Sequence, residues 1–344
     1  MHKVTVQPSG QGFEVEEGES VLTAALRQGV MLPYGCKNGA CGSCKGKIVA
    51  GSVDYGHYHA RVLTEAERAH GKALLCQAKP LGDLVIECRT IGAAKDIAVR
   101  LLPCRVQKLE KVTDDVMAVQ LKLPANERLQ FLAGQYIDFL LKGGERRSFS
   151  MANAPHADEL IELHIRQVAG GSFTDHVFSK MKERDILRLE GPLGSFFLRE
   201  DSTKPIVLVA SGTGFAPIKS ILETAFHRNV TRPMVLYWGG RRPKDLYLNA
   251  LAEKWAGEHP HFRYVPVVSE AQPEDQWTGR TGFVHRAVME DFPDLSMHQV
   301  YACGVPIMVD SARKDFTTVC QLPEDEFYAD SFTTQADLAS DEIR

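Results

Sequence analysis

The apolar and polar positions of this 344-residue chain follow three different patterns, one after another. Near the amino terminus, the strand-like runs Val4 to Gln7 and Phe13 to Val15 flank a turn-rich stretch, which predicts a β-hairpin. Ser20 then suits the N-cap of a short helix, and Gly29 its end, because glycine accepts the left-handed conformation common after helices. We expect a small sheet with one or two helices over residues 1–93.

The middle of the chain contains short, closely spaced runs in which apolar and polar residues alternate. Val116 to Leu121 and Gln135 to Leu140 are two such runs, and Gly, Pro and Asn turns separate them. This spacing is typical of a small antiparallel β-barrel, which we expect over residues 100–200. The weakly patterned stretch at about 90–103 is predicted to be a linker.

The last part of the chain alternates continuous apolar runs with helical patterns. Ile206 to Ala210 suits a buried parallel strand, and a glycine turn and a helix over Ile218 to His227 follow it. Three more strand candidates are Met234 to Trp238, Tyr264 to Val268 and Gln299 to Ala302. A doubly wound α/β domain is therefore expected over residues 203–344. The polar, acidic stretch 333–344 at its end is expected to be disordered.

Composition narrows the class of protein. An apolar fraction of 44% suffices for two or three ordinary cores, and a net charge of −4 does not indicate a nucleic-acid partner. No apolar run approaches the roughly 20 residues of a membrane span, and the first residues do not resemble a leader. We therefore expect a cytoplasmic protein without a membrane span.

Four of the eight cysteines have the spacing of an iron-sulfur site. Cys36, Cys41 and Cys44 form the pattern C-x4-C-x2-C, and Cys76 follows at a distance. This is the plant-type ferredoxin spacing for a 2Fe-2S cluster, in which one loop and one remote segment supply the thiolates. The four cysteines are the predicted metal ligands, and residues 1–93 resemble a plant-type ferredoxin domain. The twelve histidines show no metal-ligand spacing.

A short motif in the barrel region indicates a flavin. Residues 146–153 contain R-x-F-S, which resembles the flavin motif of the ferredoxin-NADP reductase superfamily. The resemblance implies bound FAD, with Arg147 at its pyrophosphate, Phe149 against the isoalloxazine and Ser150 near the reactive edge. The superfamily usually has tyrosine at the position of Phe149. Phenylalanine keeps the ring stacking but lacks the hydroxyl that would hydrogen-bond to the ribityl chain of the flavin.

A glycine pair further along supports the flavin interpretation. The segment 170–174, G-G-S-F-T, follows a strand candidate at His164 to Arg166 and resembles the superfamily turn that cradles the flavin pyrophosphate. Gly170 and Gly171 would let backbone amides approach phosphate, and Thr174 would add a hydroxyl while opening a helix. An ordinary glycine turn before a capped helix is the alternative interpretation.

Two motifs of the last region indicate a nicotinamide dinucleotide. The strand, turn and helix around residues 211–217 place a pyrophosphate at a helix amino terminus, with contacts expected from Gly212, Thr213, Gly214 and Pro217. Further on, C-G-x-P-x-M at residues 303–308 resembles a segment of the same superfamily. By that resemblance, Cys303 packs beside the reacting nicotinamide carbon and Gly304 leaves room for the ring.

Two further expectations follow from the resemblance. Phe332, or Phe327, would be the aromatic residue near the carboxyl terminus that covers the flavin until nicotinamide displaces it. Arg241 would contact the adenosine ribose. A 2'-phosphate on that ribose would bind the guanidinium groups of Arg241 and Arg242. NADH-using relatives share an arginine here with the following Asp-Leu-Tyr, residues 245–247, so NADH is expected and NADPH stays open.

The order of the regions implies a route for electrons. Hydride would pass from NAD(P)H to FAD, and single electrons would pass to the 2Fe-2S cluster and then to a partner protein. Catalytic roles would fall to Cys303, Ser150 and Phe332. The order resembles reductase components of multicomponent oxygenases and CDP-6-deoxy-3,4-glucoseen reductases, with Phe149 and residues 163–178 closer to the second group. A dehydrase or an oxygenase component would be the acceptor, and an iron-sulfur redox sensor is the alternative class.

Overall fold

The computed structural model describes residues 1–92 and 97–333, which divide into two compact units. The first unit comprises the described residues of Met1–Ile97, Gly194–Phe196 and Ala329–Arg344, and the second comprises Ala98–Leu193 and Phe197–Tyr328. Residues 93–96 of the predicted linker and residues 334–344 of the predicted disordered tail lie outside the described residues.

The first unit contains the predicted hairpin and a mixed sheet. Its elements are β1 (His2–Gln7), β2 (Gly12–Val15), α1 (Val21–Arg27), β3 (Lys45–Ala50), β4 (Val53–Asp54), α2 (Glu65–Ala69), β5 (Lys72–Leu74), β6 (Lys79–Pro80) and β7 (Leu84–Glu87). The five-stranded sheet has the order β2-β1-β7-β3-β5, while β4 pairs with β6. β1 runs antiparallel to β2 and parallel to β7, so the hairpin is confirmed.

Local signals set the helix ends of this unit. The Ser20 side chain accepts a hydrogen bond from the Thr23 amide and caps α1, as predicted. Gly29 has φ +76, the left-handed conformation expected after this helix. Thr64 and Glu67 form a capping box at α2, in which each side chain satisfies a free backbone amide.

The second unit begins with a six-stranded antiparallel sheet. Its elements are β8 (Arg100–Lys111), β9 (Val116–Lys122), β10 (Tyr136–Leu140), β11 (Arg146–Ser150), β12 (Ile161–Arg166), α3 (Ser172–Ser179) and β13 (Ile186–Leu193). The strand order is β11-β10-β13-β8-β9-β12, and an isolated bridge between Met151 and Leu163 links the two edge strands. The predicted linker extends too far, because residues 100–103 already pair with β13.

The rest of the second unit alternates strands and helices. The elements are β14 (Ile206–Ser211), α4 (Phe215–His227), β15 (Met234–Gly240), α5 (Asn249–Glu258), β16 (Phe262–Val268), β17 (Arg280–Thr281), α6 (Val284–Asp291), β18 (Gln299–Gly304), α7 (Pro306–Thr318) and β19 (Phe327–Ser331). The sheet order is β17-β16-β15-β14-β18-β19, and β14 pairs in parallel with β15 and β18. All four predicted strands are present.

The helices of the second unit show two features. α4 starts at Phe215, three residues earlier than predicted, because Pro217 sits in the first turn, where a missing amide hydrogen costs nothing. Of the helices that the structure describes, none is both long and apolar enough to cross a membrane.

Candidate functional site

The four predicted cluster cysteines lie together in the first unit as two pairs. The Cys36 thiol is hydrogen-bonded to Cys41, and the Cys44 thiol to Cys76. The Cys36 amide also donates to Cys41 Sγ at 3.4 Å. Cys41, Cys44 and Cys76 are buried and Cys36 is half-buried. This arrangement suits a 2Fe-2S core, since each of two irons binds two thiolates.

Within each pair, one thiol changes the ionisation of the other. The hydrogen bond from Cys36 lowers the pKa of Cys41 to about 5 although burial opposes ionisation. The Cys44 hydrogen bond likewise lowers the pKa of Cys76. Sulfur ligands in two pairs are what a 2Fe-2S core requires.

The loop around these thiols depends on close backbone approach. Gly39 has φ +80, and a Cβ there would lie 2.6 Å from the carbonyl oxygen of His57. Two short segments from later in the chain also hold the loop. The Tyr34 amide donates to Ser195 Oγ at 2.8 Å, and Ser43 Oγ donates to the carbonyl oxygen of Ala329 at 3.0 Å.

The predicted flavin motif forms the edge strand β11. Side chains alternate along a strand, so Arg147 and Phe149 share one face and Ser150 occupies the other. Phe149 packs against Phe173, with ring centroids 5.6 Å apart. Arg147 pairs at 2.8 Å with Glu145, whose carboxylate is exposed. The strand therefore presents a cation and an aromatic ring side by side.

The glycine pair forms a turn before α3, as predicted, but Thr174 has a different part in it. The helix starts at Ser172 with Gly171 as its N-cap, so Thr174 does not open it. Thr174 Oγ1 accepts from the Val168 amide at 3.1 Å and donates back to the Gly171 and Val168 carbonyls. Its hydroxyl therefore closes the turn. Gly170 has φ +75, as a turn of this kind requires.

The two predicted dinucleotide motifs meet backbone to backbone. A Cβ on Gly214 would lie 2.1 Å from the Cys303 carbonyl oxygen, and one on Gly304 would lie 2.1 Å from Ser211 Oγ. Ser211 Oγ also accepts from the Val305 amide at 3.0 Å. Both glycines therefore allow the turn after β14 and the end of β18 to touch. Cys303 is fully buried at this junction.

Aromatic contacts fix the turn that carries Gly212. Trp238 Nε1 donates to the Gly212 carbonyl oxygen at 3.0 Å, and the Trp238 ring stacks on Phe215 with centroids 3.9 Å apart. Thr213 and Pro217 are buried beside them. The amides at the start of α4 form a ready site for an anion.

Comparison with known protein families gives three matches along the chain. The 2Fe-2S iron-sulfur cluster binding domain matches residues 4–81. The oxidoreductase FAD-binding domain matches residues 103–198, and the oxidoreductase NAD-binding domain matches residues 208–314. The three matches follow the order of the motifs described above.

Full-length relatives carry the same arrangement. A CDP-6-deoxy-L-threo-D-glycero-4-hexulose-3-dehydrase reductase of Yersinia pseudotuberculosis is 42% identical over 96% of this chain and 98% of its own. The chain belongs to the ferredoxin-NADP reductase superfamily. The phenol hydroxylase P5 protein of Acinetobacter pittii is 36% identical over 100% of this chain and 98% of its own. The Amycolatopsis cytochrome P450 reductase GcoB has a TM-score of 0.75 at 36% identity, over 97% of this chain and 99% of its own.

The three domain matches and the full-length relatives show that the protein is an iron-sulfur flavoprotein oxidoreductase with 2Fe-2S, FAD and NAD binding domains. One residue of this reductase that sequence reasoning did not assign is Arg166, at the end of β12. Its guanidinium carbon lies 3.5 Å from where a Gly212 Cβ would be, and its Nη2 is buried without a hydrogen-bond partner among the described residues. A cation two residues from His164 was visible in the sequence, but no local pattern linked it to Gly212.

A buried polar network links the two sheets of the second unit and also has no sequence signal. His164 Nδ1 lies 2.8 Å from the Tyr247 hydroxyl, and His164 Nε2 lies 2.9 Å from Glu162. Lys219 on α4 donates to the Ala152 carbonyl at 3.2 Å and pairs with Glu162 at 3.4 Å. Burial opposes ionisation of Glu162, yet His164 and Lys219 hold its pKa at about 2.

The remaining predicted residues are placed as follows. Phe332 is half-buried and belongs to the first unit, while Phe327 is buried in the second. Arg241 is exposed directly after β15. The structure therefore brings Gly212, Gly214 and the 303–304 segment together.

Proposed function

We propose that this reductase takes hydride from NADH into bound FAD and passes the electrons through its 2Fe-2S cluster to a separate protein. The observation that carries the proposal is the full-length similarity to a reductase of a CDP-hexulose dehydrase, together with two thiol pairs in the first unit. The proposed acceptor is a dehydrase of that kind, and the proposed compartment is the cytoplasm.

The proposal divides the chain into three domains. Residues 1–93 form the ferredoxin domain, residues 100–200 an FAD-binding β-barrel and residues 203–344 the doubly wound nicotinamide domain. The bridge between Met151 and Leu163 supports closure of the six-stranded sheet into a barrel. Cys36, Cys41, Cys44 and Cys76 hold the cluster.

The FAD site consists of β11 and the turn before α3. Arg147 would neutralise the pyrophosphate, and Gly170 and Gly171 would let backbone amides approach it. Phe149 lies against the ring system, and its contact with Phe173 keeps it in position. The Ser150 hydroxyl would bond to the reactive edge of the flavin. Bound FAD supplies the exchange between hydride and single electrons, which no side chain of the chain provides.

The dinucleotide site consists of the turn after β14 and the end of β18. Gly212, Thr213, Gly214 and Pro217 shape the start of α4, where unpaired amides receive the pyrophosphate. Arg166 adds a positive charge to these amides. Its buried Nη2 faces Gly212 and has no hydrogen-bond partner among the described residues. Cys303 positions the nicotinamide by packing beside it, Gly304 leaves space for the ring, and Arg241 contacts the adenosine ribose.

A second candidate acceptor is an oxygenase component. It is favoured by the similarity to the Acinetobacter pittii phenol hydroxylase P5 protein and to the Amycolatopsis cytochrome P450 reductase. The two candidates share every cofactor site and differ only in the acceptor protein. A redox sensor is disfavoured, because a sensor has no need of the nicotinamide site proposed at Cys303 and Gly304.

Reconstitution with purified partners tests the acceptor. In one assay, the reductase and NADH are combined anaerobically with the Yersinia dehydrase and its CDP-hexulose. In the other, they are combined in the presence of oxygen with a phenol hydroxylase oxygenase component and phenol. NADH consumption that depends on both the dehydrase and its sugar supports the proposal. Turnover with the oxygenase alone would favour the second candidate, and a cluster that stays oxidised for minutes after NADH addition would favour the sensor.

A further inference from the structure

Two adjacent arginines follow β15, and they differ in what they contact. Arg241 is exposed and forms no ion pair within the described part of the chain. Arg242 is 30% exposed, and its guanidinium faces Asp275, with Nε 2.5 Å and Nη2 2.7 Å from the two carboxylate oxygens. Arg242 Nη2 also lies 3.0 Å from Glu274. Two carboxylates therefore hold Arg242.

The carboxylates reach Arg242 because neighbouring strands end together. β15 and β16 are parallel, and their pairing continues past the strand ends, where the Glu270 amide donates to the Arg241 carbonyl at 2.8 Å. Asp275 also accepts from the Gln272 amide at 2.9 Å, which closes the turn that carries Glu274. Glu274 and Asp275 therefore lie in a turn that follows the end of β16.

The charge of Asp275 persists at neutral pH. The hydrogen bond from Arg242 and the Gln272 amide together hold the pKa of Asp275 below its ordinary value. Residues 241–245 and 270–275 together contain three cationic side chains and four carboxylates. The exit of the two strands therefore carries a slight excess of negative charge.

The same edge is where doubly wound folds recognise the adenosine ribose. A carboxylate near the end of the second strand suits a 2'-hydroxyl, whereas a free arginine suits a 2'-phosphate. A phosphate binds best to two guanidinium hydrogens in a fork arrangement, and the fork formed by Nε and Nη2 of Arg242 is already bonded to Asp275. Glu274 would in addition repel the phosphate.

We infer that Glu274 and Asp275, by holding Arg242, exclude dinucleotides with a 2'-phosphate and so make the site selective for NADH over NADPH. The inference rests on the proposed function, in which this sheet binds the dinucleotide. Arg241 contacts the ribose of either dinucleotide, but while Arg242 is held by Glu274 and Asp275, a 2'-phosphate finds a single free guanidinium beside two carboxylates. Glu274 and Asp275 are specificity residues that act through Arg242.

The test compares kcat/KM for NADH and NADPH, measured by ferricyanide reduction, in the wild-type holoenzyme and in a Glu274→Gln/Asp275→Asn variant. The wild type should favour NADH by at least about 100-fold, and the variant should lower that ratio by about tenfold or more. Calorimetric binding of 2',5'-ADP and 5'-AMP gives a second readout that is independent of turnover. The variant should gain affinity for 2',5'-ADP relative to 5'-AMP.

Two matched variants show whether Arg242 is the agent. Glu270→Gln removes an exposed negative charge nearby without a contact to Arg242, and it should leave the ratio close to that of the wild type. Adding Arg242→Met to the double variant should cancel the gain with NADPH and with 2',5'-ADP. Glu274→Gln alone keeps the Asp275 turn intact, so it provides a smaller change of the same sign should the double variant fold poorly.

Each result decides between stated alternatives. A wild type that prefers NADPH, a double variant with an unchanged ratio, or a Glu270→Gln variant with an equal gain would each overturn the inference. A protein that neither binds nor oxidises either dinucleotide would instead contradict the proposed function.

Discussion

The cluster region and the dinucleotide region build their sites by different means. In the first, Cys36, Cys41, Cys44 and Cys76 reach one place with their side chains. In the second, the turn at Gly214 and the end of β18 touch through their backbones, and glycine is needed because no Cβ fits. A thiol can be replaced with loss of one cofactor, whereas a side chain at Gly214 displaces a neighbouring segment.

This difference predicts how substitutions will act. A cysteine variant should change the cluster and leave the stability of the second unit alone. Substitutions around Gly214 should lower the stability of the second unit and leave the cluster alone. All three tryptophans, at positions 238, 255 and 277, lie in the second unit, so their fluorescence during urea unfolding reports on that unit.

Gly214→Ala should have the largest effect on the second unit. The new methyl group would lie 2.1 Å from the Cys303 carbonyl oxygen, and the backbone would have to move. We expect a loss of about 3 kcal/mol in the free energy of unfolding and weaker binding of NADH. The matched control is Gly257→Ala on α5, where a Cβ meets nothing within 4 Å and alanine favours the helix. Equal stability of both variants would contradict the backbone contact.

Lys219→Met should have the next largest effect. It removes the buried ammonium group that lies 3.0 Å from Glu223 and 3.4 Å from Glu162, and leaves both carboxylates without this partner. We expect a loss of about 2 kcal/mol, since both carboxylates keep some access to water. Lys254→Met is the control, because its own i,i+4 pair with Glu258 is exposed and should contribute at most about 0.5 kcal/mol. An equal loss of unfolding free energy in Lys254→Met and Lys219→Met would contradict the larger contribution expected of the buried pair.

The smallest predicted effect is a pH dependence from Glu162. Its pKa is about 2 in the folded protein against 4.5 ordinarily, so its contribution to stability is present above pH 4.5 and is lost as pH falls towards 2. The difference in unfolding free energy between the wild type and Glu162→Gln should shrink by about 1 kcal/mol between pH 6 and pH 4. A difference that stays constant or grows on acidification would contradict the ion-pair network.

The same contrast explains what could be read from the sequence. The cysteine spacing, the Ser20 helix start and the strands around Ile206 and Met234 are local patterns, and the structure contains a group of thiols or an element at each. Thr174 was expected to open a helix, but it lies in the first turn of α3, and its hydroxyl closes the preceding turn. Residues 100–103 were expected in a linker, because the pairing partner that makes them a strand lies almost 90 positions further on.

Contacts between distant positions had no sequence signal. His164 and Tyr247 are 83 positions apart, and Lys219 and Ala152 are 67 apart, so no periodicity connects them. The pairing of Arg242 with Asp275 depends likewise on two strands ending side by side. The sequence shows which residue types are present, and the topology decides which of them meet.

The most direct test of the electron route is NADH-dependent reduction of cytochrome c and of ferricyanide by the Cys41→Ser holoenzyme, with iron and acid-labile sulfide measured on the same sample. Cys88→Ser, which replaces a buried thiol outside the four, is the control and should resemble the wild type. The account predicts that Cys41→Ser loses cytochrome c reduction by at least about tenfold and keeps ferricyanide reduction. Equal loss of both activities, or full retention of both, would contradict it.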